Sequence, residues 1–142
     1  MKGKEQFDVF VSYSHSDADF VRDWLYRRLV EKGLKVCIDI HSFELGETLV
    51  DEITAAITRS AYTVLVFTPS YLNSHWTQFE RQLSSYLTVS GKNRGVPLLL
   101  QPCEIPNPFQ MYVRMDFTRE KDHEHQLGKL VAMLKEIGRA HV

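Results

Sequence analysis

At 142 residues the chain suits one domain with a core of its own, with no room for a second catalytic module. Hydrophobic residues at 44% and charged residues at 25% exclude disordered and fibrous classes. Lys plus Arg total 17 against 18 Asp plus Glu, a net charge of −1 that lacks the basic footprint of a nucleic-acid binder.

No apolar run approaches the roughly 20 residues of a membrane span, and Met1–Gln6 is no signal peptide, so a soluble cytoplasmic domain is expected. Cys37 and Cys103 sit in or beside apolar runs and read as reduced core residues, with a bridge between them left open.

Short apolar runs alternate with longer helical patterns. Phe7–Ser12 is the first predicted strand, followed by a polar loop, Tyr13-Ser14-His15-Ser16-Asp17. Phe20, Val21, Trp24, Leu25 and Leu29 recur at helical spacing, and Gly33 supplies the stop. Leu34–Ile38 is the second strand, ending at Asp39; residues 40–47 have no period and form a loop. Thr48 and Asp51 are candidate caps for a helix whose stripe is Leu49, Ile53, Ala56, Ile57 and Ser60. Tyr62–Phe67, apolar and rich in β-branched residues, is the central strand, stopped by Thr68-Pro69. A helix is predicted from about Ser74 to Ser90. Val96–Leu100 is the fourth strand, its early proline suiting a strand start. Residues 101–110 hold three prolines and form a loop. Tyr112–Phe117 is a shorter fifth strand, and Leu127, Leu130, Val131, Leu134 and Ile137 mark the last helix.

Uniformly apolar strands alternating with helices imply an α/β, flavodoxin-like three-layer fold: a five-stranded parallel sheet with helices on both faces. Ligands of such sheets bind beyond the carboxyl ends of the strands, here in the loops after Ser12, Ile38, Phe67 and Leu100. The first loop has no glycine, which excludes a dinucleotide-binding or P-loop cradle. Ser14, His15 and Asp17 in one loop read as a polar turn with an Asp17 helix cap rather than a catalytic triad. Neither H-E-x-x-H nor C-x-x-C is present, no metal is assigned, and His123 and His125 are expected to be exposed. Beyond the third strand, Trp76, Phe79, Leu83 and Leu87 share a helix face, with Glu80 at its edge one turn after Trp76. By spacing alone Glu80 is an edge glutamate with a packed stem and a solvated head. At the mouth of the sheet, the same carboxylate would be partly desolvated and its pKa raised.

These residues together resemble the Toll/interleukin-1 receptor (TIR) domain family. Phe7-Asp8-Val9-Phe10-Val11-Ser12-Tyr13 is similar to the family's first box. Ser70-Tyr71-Leu72-Asn73-Ser74-His75-Trp76-Thr77-Gln78-Phe79-Glu80 is similar to its S-x-x-Y-x-x-S-x-W-x-x-x-E segment. The resemblance places a TIR domain at residues 7–138, after a flexible N-terminus of residues 1–6 and before a tail of residues 139–142. Some members are signalling scaffolds that bind other TIR domains; others hydrolyse NAD+, sometimes to a cyclic product. Two departures favour the hydrolytic class. The second-box motif R-D-x-x-P-G is replaced by Asp39-Ile40-His41-Ser42-Phe43-Glu44-Leu45-Gly46, with Leu45 in place of proline. The third-box F-W is replaced by Phe117-Thr118. The first-loop arginines of the axonal enzyme are absent as well.

The resemblance therefore implies an NAD+ glycohydrolase, activated by self-association, in defence or cell-death signalling. Glu80 would be catalytic, with Trp76, Tyr13, Ser14, His15, Asp39 and Phe43 binding substrate. Trp76 carries a structural role as an equal alternative. NAD+ is the substrate, and no cofactor is implied. Nicotinamide leaves a pyridinium neutral without general-acid help, so one carboxylate suffices where neutral sugars need two. The cluster Ile40, Phe43, Leu45 and Gly46 is expected to mediate contact with other TIR domains, head to tail and able to extend into filaments. The competing expectation is a non-catalytic TIR scaffold.

Overall fold

The structure is a computed structural model, and it describes residues 7–38, 55–73, 94–106 and 114–140. Five strands form one sheet: β1 (Phe7–Ser12), β2 (Val36–Cys37), β3 (Ser60–Phe67), β4 (Arg94–Leu99) and β5 (Met115–Asp116). Their order is β2-β1-β3-β4-β5 and every pairing is parallel. The register runs from Phe7 opposite Ser60 to Ser12 opposite Leu65, and from Tyr62 opposite Arg94 to Phe67 opposite Leu99. The expected flavodoxin-like parallel sheet is therefore the architecture.

Strand alternation splits the apolar residues between two cores. Val9, Val11, Val64, Val66, Val96 and Leu98 face one layer, whose helical cover supplies Val21, Leu25, Leu29, Leu127, Leu130 and Leu134. Phe10, Leu65 and Phe67 face the other, against Ala56, Ile57, Tyr71 and Ile105. Because β3 has a strand on either side and a core on either face, it is buried along almost its whole length. That is why it reads as an unbroken apolar run.

The first layer begins with a π-helical segment, Asp19–Leu25, continuing into α1 (Tyr26–Glu31). In the wider turn Phe20 and Trp24 stack, ring centroids 5.5 Å apart. Gly33, at φ +89°, ends the helix: its N–H bonds Val30 O, and the Leu34 N–H bonds Leu29 O. Those two bonds are the left-handed helix stop that glycine permits. The second layer includes helical residues 55–58 and the single turn α2 (Pro69–Tyr71). The final helix, α3 (His123–Ala140), buries Leu127, Leu130 and Leu134 against the first core. None of the helices among the described residues is long and apolar enough to cross a membrane.

Several expectations are corrected. Ser60 does not continue a helical stripe; it opens β3, and its hydroxyl donates to Ala56 O at 2.8 Å. β2 is confined to Val36–Cys37, because the edge strand pairs with β1 only at Val9 and Phe10. β4 starts two residues earlier than expected, so Pro97 lies inside the strand. The proline is tolerated because, among the described residues, β5 pairs with β4 at Leu98 and Leu99 and not at residue 97. His123 is not exposed: it is half-buried, with Nε2 2.9 Å from Phe117 O. The turn after β5 returns it onto Phe117, where its ring lies 5.2–5.6 Å from those of Phe20, Trp24 and Phe117. His125 is exposed, as expected. Cys37 and Cys103 form no disulfide; both are half-buried against the second core, on β2 and beyond β4, with β1 and β3 between those strands. The predicted helix from Ser74 to Ser90 and the caps Thr48 and Asp51 lie outside the described residues.

Candidate functional site

The strand order locates the crevice. From β1 the chain crosses to β2 on one side, and from β3 it crosses to β4 on the other, so the two loops diverge between neighbouring strands. Such a switch point opens a cleft beyond the carboxyl ends of the strands. Its walls here are residues 13–17, after β1, and residues 68–73, after β3.

The first wall is a tight turn. Ser14, extended at φ −87° and ψ 146°, caps the short helix His15–Asp17: its Oγ accepts from the Ser16 N–H at 3.3 Å, and its carbonyl accepts from the Asp17 N–H at 2.8 Å. Asp17, expected to cap the helix that follows, does not: the cap position of Asp19–Leu25 is Ala18, which makes no side-chain capping bond, and the capping side chain belongs to Ser14 one turn earlier. Only 3% of Ser14 is exposed, so its hydroxyl is spent within the loop. Tyr13 is half-buried against the first core, and its hydroxyl accepts from Arg22 Nε at 3.0 Å. His15 and Ser16 are exposed.

The second wall starts with Thr68-Pro69, a capping residue followed by a proline suited to the first helical position. Thr68 Oγ1 accepts from the Tyr71 N–H at 3.1 Å and donates its own proton to Asp17 Oδ2 at 2.8 Å. The Tyr71 hydroxyl meets Ser12 Oγ at 2.8 Å in the buried floor. Burial drives the Tyr71 phenol well above its ordinary pKa, opposed by the Ser12 hydrogen bond, so it stays neutral. At the rim, Ser70 Oγ donates to Ser16 Oγ at 3.3 Å.

Two cross-links thus join the walls, Asp17 to Thr68 and Ser16 to Ser70, and a third, Ser12 to Tyr71, ties the second wall to the end of β1 in the floor. The first box and the start of the S-x-x-Y-x-x-S-x-W-x-x-x-E segment meet at the switch point. Of the expected site residues, Tyr13, Ser14 and His15 stand on the first wall. Trp76, Glu80, Asp39, Ile40, Phe43, Leu45 and Gly46 lie outside the described residues. Sequence reasoning missed Ser12, Asp17, Thr68 and Tyr71 as a group. Thr68-Pro69 was legible as a helix start, but its partner 51 residues earlier carried no local signal.

The TIR domain family model matches residues 9–131. Human Toll-like receptor 1 is 30% identical over 98 residues, covering 68% of this chain and 12% of the receptor. The NAD(+) hydrolase TirS of Staphylococcus aureus is 32% identical over 75 residues, covering 53% of this chain and 27% of that protein. The chain thus matches well under a third of the length of either relative. The crystal structure of the TIR domain of the Toll-related receptor TRR-2 from Hydra magnipapillata superposes with a TM-score of 0.75 at 21% identity, covering 92% of this chain and 99% of that one. With the family model spanning most of the sequence and the same fold found at low identity, the chain belongs to the TIR domain family.

Proposed function

We propose that this TIR domain is an NAD+ glycohydrolase, releasing nicotinamide and ADP-ribose or a cyclic isomer, with Glu80 as the catalytic residue. The observation that carries the reading is the joining of the first-box loop to the start of the tryptophan–glutamate segment at the β1/β3 crevice. Similarity to the NAD(+) hydrolase TirS supports it.

In the reaction the bond between the nicotinamide nitrogen and ribose C1′ breaks, and its electron pair leaves with nicotinamide. The Glu80 carboxylate holds the ribose hydroxyls and offsets the positive charge developing on the sugar. Water then adds at C1′ and loses a proton. Tyr13, His15, Asp39, Phe43 and Trp76 bind substrate, while Ser14 sets the shape of the loop that carries its neighbours. Other TIR domains are partners through Ile40, Phe43, Leu45 and Gly46, and self-association raises activity. The setting is cytoplasmic defence or cell-death signalling.

The test is incubation of concentrated protein with NAD+ and chromatography for nicotinamide, on wild type and Glu80→Ala. Wild type releases nicotinamide, and Glu80→Ala loses at least about a hundredfold of the rate with its unfolding midpoint retained. Full activity in Glu80→Ala would remove Glu80 from the mechanism. Similarity to Toll-like receptor 1 favours the second reading, a homotypic interaction domain without catalysis. It gains if wild type self-associates but releases no nicotinamide at any concentration.

A further inference from the structure

We infer that Thr68, held by Asp17, is a positioning residue that sets one wall of the crevice against the other for the proposed glycohydrolase; the catalytic half of this inference rests on that reading. The β1·β3 ladder ends where Ser12 meets Leu65. Beyond that pair β3 stays laddered to β4 as far as Phe67 opposite Leu99, but β1 and β3 no longer bond each other, so backbone pairing between them does not fix one loop against the other. Thr68 stands three residues past the end of the ladder on one side and Asp17 five past it on the other. Their side chains bond at 2.8 Å, and both residues are buried, at 0% and 7% exposure.

The Thr68 hydroxyl acts in two directions. It accepts from the Tyr71 N–H, which starts the turn leading along the chain toward Trp76 and Glu80. It donates to the carboxylate at the end of the loop that presents Tyr13 and His15. A charge-assisted hydrogen bond out of water is strong, and losing the donor leaves the carboxylate buried without it. The strands are already paired without this bond, so its effect falls on the loops. An error of about 1 Å in such placement costs up to about a hundredfold in rate.

The experiment uses the whole chain with Thr68→Val, Thr68→Ser, Asp17→Ala, the Asp17→Ala/Thr68→Val double variant, and the distant core variant Leu134→Ala. Amide exchange is read residue by residue. Exchange at Tyr71 rises in Thr68→Val whatever the truth, because its acceptor is gone. The diagnostic amides lie across the crevice. Ser16 and Asp17 exchange at least about tenfold faster in Thr68→Val, and Leu72, bonded to Thr68 O, does so in Asp17→Ala. Val64 and Leu98 keep wild-type exchange relative to global stability, Thr68→Ser restores the pattern, and the double variant is no worse than the worse single variant. For nicotinamide release, Thr68→Val lowers kcat at least about tenfold and Thr68→Ser recovers it, whereas Leu134→Ala loses stability without that loss of kcat.

Unchanged exchange at Ser16 and Asp17 in Thr68→Val, or additive effects in the double variant, overturns the coupling between the walls. Faster exchange with unchanged kcat overturns the catalytic half. If wild type releases no nicotinamide, the glycohydrolase reading falls with the catalytic half, and exchange alone decides whether Thr68 orders the crevice.

Discussion

Replacing Thr63 by valine should stabilise the protein, against the general run of core substitutions. Thr63 sits in the middle strand, fully buried, opposite Phe10 on β1 and Gly95 on β4. It faces the same layer as Leu65 and Phe67. Its hydroxyl has no hydrogen-bond partner among the described residues. A buried donor left unpaired costs about 1–3 kcal/mol, and valine replaces it with a methyl group whose burial contributes about 0.8 kcal/mol. Both residues are β-branched, so strand preference is kept. Allowing for imperfect fit, the net gain is about 1–2 kcal/mol, or roughly 3–7 °C in Tm for a domain of this size. Urea unfolding with a shared m-value measures it, and Thr63→Ser, which keeps the hydroxyl and deletes the methyl, should lower the midpoint. A Thr63→Val midpoint at or below wild type would refute the reasoning, because it would mean the hydroxyl is satisfied.

Gly33→Ala should cost about 1–2 kcal/mol in urea unfolding, because φ +89° disfavours an L side chain; an added Cβ meets nothing within 4 Å, so the cost lies in the backbone and not in a clash. Asp116 is held below its ordinary pKa mainly by the Thr118 hydroxyl and then by the Thr118 N–H, at 2.6 and 2.9 Å. A folded pKa below the unfolded value of about 3.9 gives stability that is present above that pH and lost as pH falls through the folded pKa. Since the group is exposed, the pH-dependent part is a few tenths of a kcal/mol. It should vanish in Asp116→Asn, and an NMR titration placing Asp116 at or above the ordinary carboxylate range would disprove it.

What the sequence conveyed about the fold depended on how many neighbours enforce each segment. β3 was legible because two flanking strands and two cores demand an apolar residue at nearly every position. The first helix was legible through Val21, Leu25 and Leu29, which are fully buried, and through Gly33 at its end. Its π-helical start was not, since the spacing of Phe20 and Trp24 suits an α-helix equally well; the tertiary partners Phe117 and His123 accompany the stack. The edge strand β2 is short because one neighbour fixes its extent, a fact that composition does not carry. His123 misled for a related reason: a histidine inside the polar run Arg119–Gln126 at a helix start looks exposed until the turn before it places Phe117 O within 2.9 Å.

The candidate site divides along the same line. Its location followed from topology, because strand–helix alternation alone directs attention to the carboxyl ends of β1 and β3. Its family followed from local strings, the first box and the tryptophan–glutamate spacing. The bonds that join the walls and the floor had neither source. Ser12 meets Tyr71 across 59 residues and Asp17 meets Thr68 across 51, and each of these four has an ordinary local explanation as strand end, turn residue, strand stop or apolar helix residue. Tyr71 illustrates the ambiguity: its ring packs edge-on against Phe67 in the second core at 5.5 Å, while its hydroxyl reaches the polar floor. An aromatic residue with a polar tip satisfies the core and the crevice at once. The apolar half of its role is visible in one dimension, and the polar half appears only when the chain has folded and Ser12 lies beneath it.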